Sequence, residues 1–181
     1  EDDIVAVDEF TIIGIAIDPE KGTVGTKVKI TGAGFGKRDD IDIEYDDKDI
    51  DIESGSDETD SKGKFTSYII VPKSAEGDHT IGIKVDSDEA EAEFTVQPQV
   101  TIDPTSGSPG AKVTVTGTGF AKDEDITITF DDDEVDISGD DATDKYGSFE
   151  ATFNVPVVKP GKYDVGIEDG DGNKDEAKFT I

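Results

Sequence analysis

The sequence predicts an all-β protein built from two tandem β-sandwich domains. Its hydrophobic residues are mainly Ile, Val and Phe, which are the β-branched and aromatic types that suit a pleated, half-buried surface. No long stretch places apolar residues at helical spacing. A stretch of sequence also occurs twice, 85 positions apart, and an internal repeat of this kind identifies the unit of folding.

The repeated stretch reads DPEKGTVGTKVKITGAGF at residues 18–35 and DPTSGSPGAKVTVTGTGF at residues 103–120. Each copy begins with a Pro/Gly turn, continues as an alternating strand and ends on a Gly pair and a Phe. The glycines predict backbone with positive φ or in close contact with a neighbour. Alternation of Val28 and Ile30 with polar residues predicts a strand with one buried face.

The rest of each repeat predicts further short strands joined by turns. Residues 41–45 and 126–130 alternate strictly and are followed by acidic hairpin tips, after which Ile50 and Ile52 are predicted to lie on a return strand. The motif Thr-Asp-x-x-Gly-x-Phe at 59–65 and 143–149 predicts a turn that the Asp caps, with the Gly in the left-handed conformation. Seven or so strands at this spacing are typical of a β-sandwich.

We therefore expect domain 1 at residues 11–97 and domain 2 at residues 98–181, preceded by an extension at residues 1–10. The extension is surplus to the repeat, yet its end, EFTI, is similar to the last strand of each domain, EFTV around Phe94 and KFTI around Phe179. It is therefore predicted to be an extra N-terminal β-strand.

Three explanations of this leader strand are open. It is the tail of a preceding repeat, a longer first strand, or a donor strand that adds to the sheet of a neighbouring molecule. In the last case the side chains that would insert are Ile4, Val5, Val7 and Phe10. A head-to-tail contact of this kind does not close on itself, so it predicts a filament.

The charge is strongly negative in both domains. Forty-five acids stand against 17 bases, for a net charge of −28, of which residues 1–97 carry −16 and residues 98–181 carry −12. Such a surface repels nucleic acid and anionic lipid. It serves solubility, adaptation to high salt, or the binding of divalent cations, and the abundance of lysine weakens the second of these explanations.

Calcium is the cofactor that these acids would suit, because it takes six to eight hard oxygen ligands, usually from loops. The hairpin tips and an Asp-Gly-Asp-Gly-Asn loop, which weakly resembles the start of an EF-hand, supply the candidates, and the motif acids at 57, 60, 141 and 144 are further oxygen donors. The predicted metal ligands are Asp46, Asp47, Asp49, Asp131, Asp132, Asp133, Glu134, Asp169 and Asp171.

Other composition features bear on compartment and chemistry. Cys, Met and Trp are absent and Asn and Gln are rare, which together with many charges is typical of thermophilic proteins. No run of 18 apolar residues occurs, so no membrane span is expected. The chain begins at Glu1 rather than Met, so either a signal peptide has been removed or the sequence is a piece of a longer protein. The single His79 has no partner set for catalysis, so no enzyme is predicted.

The Asp-Pro, the Gly turn, the Val-x-Val-x-Gly-x-Gly-Phe stretch, the Thr-Asp-x-x-Gly-x-Phe motif and the Val-Pro pair resemble the IPT/TIG family. The resemblance covers residues 11–181 and is closest to tandem versions in secreted and cell-surface proteins of archaea and bacteria. It implies immunoglobulin-like sandwiches with an extracellular spacer, adhesion or assembly role and no catalytic residues. The residues 1–10 are not explained by the family pattern.

Two functions of different classes follow. The first is a structural subunit that forms a head-to-tail homopolymer, a surface filament, sheath or layer, by donation of the leader strand with the help of cations. The second is an adhesion module, part of a larger surface protein, that binds carbohydrate or protein. The supply of aromatic side chains for stacking on sugars is thin, since Trp is absent and the chain has only four tyrosines.

Overall fold

The computed structural model describes residues 12–181, and this part of the chain contains β-strands and turns but no helix. The prediction of an all-β protein is therefore confirmed. The predicted leader strand, with Ile4, Val5, Val7 and Phe10, lies outside the described residues.

Domain 1 contains nine strands in two sheets. The sheet orders are β1-β3-β7-β6 and β2-β9-β8-β4-β5, and the short β2 pairs with β9 in parallel. The strands are β1 (Gly14–Asp18), β2 (Lys21–Gly22), β3 (Lys27–Ala33), β4 (Asp42–Tyr45), β5 (Lys48–Asp49), β6 (Ser54–Gly55), β7 (Phe65–Ile70), β8 (Gly77–Val85) and β9 (Asp88–Val96).

Domain 2 repeats this arrangement with eight strands. Its sheet orders are β10-β11-β15-β14 and β13-β12-β16-β17, and a single parallel bridge between Ser106 and Thr180 replaces the pairing of β2 with β9. The strands are β10 (Gln99–Asp103), β11 (Lys112–Thr118), β12 (Ile126–Phe130), β13 (Asp133–Glu134), β14 (Ile137–Gly139), β15 (Phe149–Asn154), β16 (Lys162–Asp169) and β17 (Lys174–Thr180).

Each domain consists of two sheets. The chain also divides into two compact units, and residues 20–27 and 70–79 lie in the unit that contains residues 94–181. Strand pairing keeps the first of these segments in domain 1, because Lys21 and Gly22 pair with Thr95 and Val96.

The alternating segments place their apolar side chains in the cores, as predicted. In domain 2 one core joins both sheets: Val113 and Val115 on β11 and Phe153 on β15 pack with residues of the other sheet such as Ile128 and Phe179. Full burial of aliphatic and aromatic side chains of this size contributes about 1.5–3 kcal/mol each. In domain 1 Val28 and Ile30 are likewise fully buried.

The predicted return strand at Ile50 and Ile52 is shorter than expected. After the hairpin turn Lys48 and Asp49 pair with β4, and the Ile50 N–H still donates to the Ile43 carbonyl at 2.9 Å, but the chain then joins the other sheet, where β6 pairs with β7. Ile50 and Ile52 therefore lie on neither strand. Ile137 does belong to a strand, β14, but that strand pairs with β15 instead of with β12.

Candidate functional site

The acidic hairpin tips are two-residue turns. Asp46 and Asp47 have φ values of 50° and 60°, and Asp131 and Asp132 have values of 56° and 69°. Positive φ at both central residues is the requirement of the type I′ hairpin turn, which favours Asn, Asp and Gly. The turn geometry thus accounts for aspartate at these four predicted metal-ligand positions.

One tip carboxylate, that of Asp46, also binds a backbone group. Asp46 Oδ1 accepts a hydrogen bond of 3.1 Å from the Thr80 backbone N–H, which ties the turn to β8. The remaining predicted ligands of the hairpins follow the turns as exposed residues of the two short strands β5 and β13, namely Asp49, Asp133 and Glu134.

Asp169 is buried, and protein N–H donors surround its carboxylate. Oδ1 accepts bonds from the backbone N–H groups of Asp171 and Asn173, at 3.1 and 2.9 Å. Oδ2 accepts bonds from Asn173 Nδ2 at 2.9 Å and from the Ala121 backbone N–H at 2.8 Å. Four donors occupy the lone pairs that a cation would need.

The charge of Asp169 is stabilised by these bonds. Burial alone raises the pKa of this carboxyl group, but the bonds from Asn173, Ala121 and Asp171 outweigh burial and hold the pKa below its ordinary value. The loop therefore resembles the start of an EF-hand only in sequence. Asp169 holds the loop closed and joins it to the residue after Phe120.

In domain 1 the equivalent backbone N–H group also donates to a carboxylate, but this carboxylate comes from a different position in the repeat. The Gly36 backbone N–H, equivalent to that of Ala121, donates to Asp88 Oδ2 at 3.0 Å. Val85 stands where domain 2 has Asp169, and the loop between the last two strands is shorter. The two domains thus place a carboxylate at one point of the fold by different residues, which a repeat alignment does not reveal.

The Thr-Asp-x-x-Gly-x-Phe motif is structural in both domains, as its turn chemistry predicts. Asp144 Oδ1 accepts from the backbone N–H groups of Tyr146 and Ser148, and Gly147 has φ of +67°. Buried Thr143 donates to the Ala121 carbonyl at 2.6 Å and accepts from the Glu124 N–H at 3.0 Å. The motif residues therefore stabilise the conformation of a loop, and their oxygen atoms already accept hydrogen bonds from it.

The Asp of the same motif in domain 1 behaves alike. Asp60 Oδ1 accepts from the Lys62 and Lys64 N–H groups at 2.7 and 3.0 Å. Bonds from Lys64 and then Lys62 hold the pKa of Asp60 below its ordinary value. Thr59 donates to the Gly36 carbonyl at 2.8 Å.

No preformed metal centre is found within residues 12–181. The predicted ligands lie in separate loops, and this part of the chain has no group of three or more His, Asp or Glu side chains that could hold a metal ion. Calcium binding by the chain remains a prediction.

The single histidine makes a loop contact that has an equivalent in domain 2. His79 Nε2 lies 2.9 Å from the Ala75 carbonyl oxygen, and Tyr163 makes the equivalent bond in domain 2, donating to Lys159 O at 2.7 Å. Both rings close the same loop. A shallow groove of about 650 Å³ beside β1 is lined largely by small residues such as Gly14, Ala16 and Thr31.

The edge strands β1 and β10 differ in one contact. The Val100 backbone N–H donates to Asp175 Oδ2 on β17 at 2.7 Å. Sequence reasoning gave Asp175 no role, although a signal was present, since Ala90 stands at the equivalent position of domain 1.

Comparison with known proteins gives a family match across the chain. The model of the IPT/TIG domain matches residues 15–100 and again residues 98–181. No curated protein matches in sequence. No helix in the described part of the chain is long and apolar enough to cross a membrane.

Solved structures with similar folds include surface proteins. The adhesin InvE of Yersinia pseudotuberculosis is 11% identical over 94% of this chain, with a TM-score of 0.39, and the chain spans 58% of its length. The Escherichia coli adhesin FdeC is 16% identical over 93% of this chain and 62% of its own, with a TM-score of 0.36. Domains 5–6 of the S-layer protein SbsC are 17% identical over 95% and 98%, with a TM-score of 0.32.

Proposed function

Because the chain belongs to the IPT/TIG domain family, with two family domains in tandem, we propose that it is a non-catalytic structural subunit of the cell surface. After secretion it assembles with copies of itself into a filament, sheath or layer. The leader strand, residues 4–10, adds to a sheet of a neighbouring copy, and cations assist by reducing repulsion between the acidic subunits.

The observation that carries this proposal is the path by which the chain enters domain 1. A Cβ atom placed on Gly34 would lie 2.2 Å from the Ile12 carbonyl oxygen, and one on Gly119 would lie 2.7 Å from the Gln97 carbonyl oxygen. Gln97 directly follows β9. The chain before β1 thus passes Gly34 as the chain after β9 passes the equivalent Gly119. This equivalence supports a leader that acts as the last strand of a domain.

The alternative is an adhesion module that binds carbohydrate or protein, and its carbohydrate-binding form has less support. Among the described residues the exposed large hydrophobic side chains include one aromatic ring, Tyr146, and Lys145 Nζ lies 4.7 Å from the centroid of that ring. Sugar recognition generally stacks the sugar on open aromatic faces, so this surface favours assembly over carbohydrate binding.

The cation component of the proposal also has a structural reason. The nine predicted ligands do not converge within residues 12–181. Cations would therefore act by screening the charge or by bridging carboxylates of different copies.

Deletion of residues 1–10 tests the proposal. Full-length protein is expected to form polymers under the electron microscope, with or without added calcium, whereas the truncated protein stays monomeric. Substitution of Glu1, Asp2 and Asp3 by Ser is the control, because it alters the leader but leaves its apolar residues in place. Normal polymers from the truncated protein, or no polymers from the full-length protein, would contradict strand donation.

A further inference from the structure

One sheet edge is closed in domain 2 by a side chain that domain 1 lacks. β10 is an edge strand, and its Val100 is paired with Gly117 on β11. The Val100 N–H donates to Asp175 Oδ2, which lies on β17 of the other sheet. This N–H therefore points away from β11, toward the open side of the sheet, and the carboxylate occupies the place where another strand would bond.

Domain 1 has the same edge without the carboxylate. Ile15 on β1 is paired with Gly32 on β3 in the same register. Ala90 and Asp175 each lie four residues before a fully buried Phe, and both are half-buried on the last strand of their domain. A methyl group accepts no hydrogen bond, and within residues 12–181 no side chain is found to accept from the Ile15 N–H.

We propose that the outer edge of β1 is the acceptor for residues 4–10 of a second copy, and that Asp175 excludes the same pairing at β10. The inference rests on the proposed function and adds to it the acceptor surface. The incoming strand would bond to the open backbone groups of β1, including the Ile15 N–H, in the way that β-augmentation extends a sheet.

The other edges of the described sheets are poorer acceptors. Six exposed residues of the two last strands are charged, and charged edge strands resist pairing. Those residues are Glu89, Glu91 and Glu93 on β9 and Lys174, Glu176 and Lys178 on β17. β17 is an edge strand, and β9 has only the two-residue β2 outside it. The remaining edge strands β2, β5, β6, β13 and β14 have only two or three residues. β1 presents four uncharged residues, GIAI, before Asp18.

The leader has the length that this edge requires. Seven residues in a strand extend about 23 Å, more than the roughly 17 Å of the five-residue β1. A single leader can therefore cover the whole open edge.

The test transfers the carboxylate of domain 2 to domain 1. In Ala90→Asp the new side chain is expected to bind the Ile15 N–H and close the edge, so the full-length variant should not polymerise. Ser87→Asp, which adds the same charge at the exposed tip of the same hairpin, is the matched control and should polymerise normally. Thermal melting checks the fold, and Ala90→Asn offers the same acceptor without the charge should Ala90→Asp fail to fold.

Mixing separates this inference from the proposed function. Ala90→Asp can still donate a leader and the protein without residues 1–10 can still accept one, so the two together should form a 1:1 dimer by light scattering, although neither assembles alone. If folded Ala90→Asp and Ala90→Asn both polymerise as the wild type does while the truncated protein does not, the acceptor is another edge and strand donation stands. If the wild type does not polymerise, the proposed function itself fails.

Discussion

At the scale of single residues, the carboxylates with a defined role bind backbone N–H groups. Asp60, Asp144 and Asp169 each accept two or more such bonds within their own loops, and Asp175 accepts one from another strand. The acidic composition suggested cation ligands, because composition alone does not reveal which carboxylate oxygens already accept hydrogen bonds. Other acids lie at exposed positions of turns and strands, such as Asp132, Glu91 and Glu176.

Asp169→Asn is expected to destabilise domain 2 by about 2 kcal/mol at neutral pH, since hydrogen bonds to a charged group contribute about 1.5–3 kcal/mol. The amide would also bring an N–H group toward donors that now meet Oδ2. Urea unfolding of the variant and the wild type measures the difference. Asp171→Asn, an exposed residue of the same loop, is the control and should change stability little.

The difference should depend on pH in a fixed direction. The pKa of Asp169 is lowered by folding, so its stabilisation is complete above the unfolded pKa of about 3.9 and is lost as the pH falls through the lower folded value. The wild type and Asp169→Asn should therefore converge in stability as the pH is lowered from 6 to 2. A constant difference over that range would show that the charge is not what stabilises the loop.

At the scale of elements, turns and core strands could be predicted and the paths between sheets could not. The Thr-Asp-x-x-Gly-x-Phe turn has a local cause, since the Asp caps its own loop and the Gly adopts positive φ. The change of sheet after Asp49 depends instead on a long-range choice between two partners, which alternation of Ile50 and Ile52 does not encode. Asp175 was missed for a similar reason, because its partner Val100 lies 75 residues away.

The Gly-Phe pair between neighbouring strands is a close packing contact in each sandwich. A Cβ atom on Gly117 would lie 2.0 Å from the ring of Phe149, which is the paired residue on β15. Gly117→Ala should therefore destabilise by about 2 kcal/mol or more, within the range known for overpacked cores. Thermal and urea unfolding measure the loss.

A second substitution identifies the cause. Phe149→Leu removes the ring atoms that the new methyl group meets, so the double variant should lose less stability than the sum of the single variants. Gly110→Ala is the control: its φ is +83° but nothing lies within 4 Å, so Phe149→Leu should not relieve it. Simple additivity for Gly117 and Phe149 would show that contact with the ring is not the source of the cost.

At the scale of the whole molecule, the net charge of −28 opposes both compactness and contact between copies. Two domains of like charge, −16 and −12, cannot neutralise each other. A polymer of such subunits must either operate in enough salt or place cations between carboxylates of different copies. Under the proposed function, we expect ions to screen charge within one molecule and divalent ions to bridge carboxylates at contacts between molecules.

This distinction predicts how the melting temperature responds to salts. For the monomeric protein without residues 1–10, NaCl should raise the melting temperature between 10 mM and about 0.1 M ionic strength and little beyond, because the screening length falls from about 30 to about 10 Å over that range. Calcium and magnesium chloride at equal ionic strength should act alike on this monomer. In the proposed polymer of the protein with residues 1–10, calcium should stabilise more than sodium does, because carboxylates of different copies would share a bound ion. If calcium raises the melting temperature of the monomer well above the magnesium value, a site exists within one molecule and the bridging explanation is wrong.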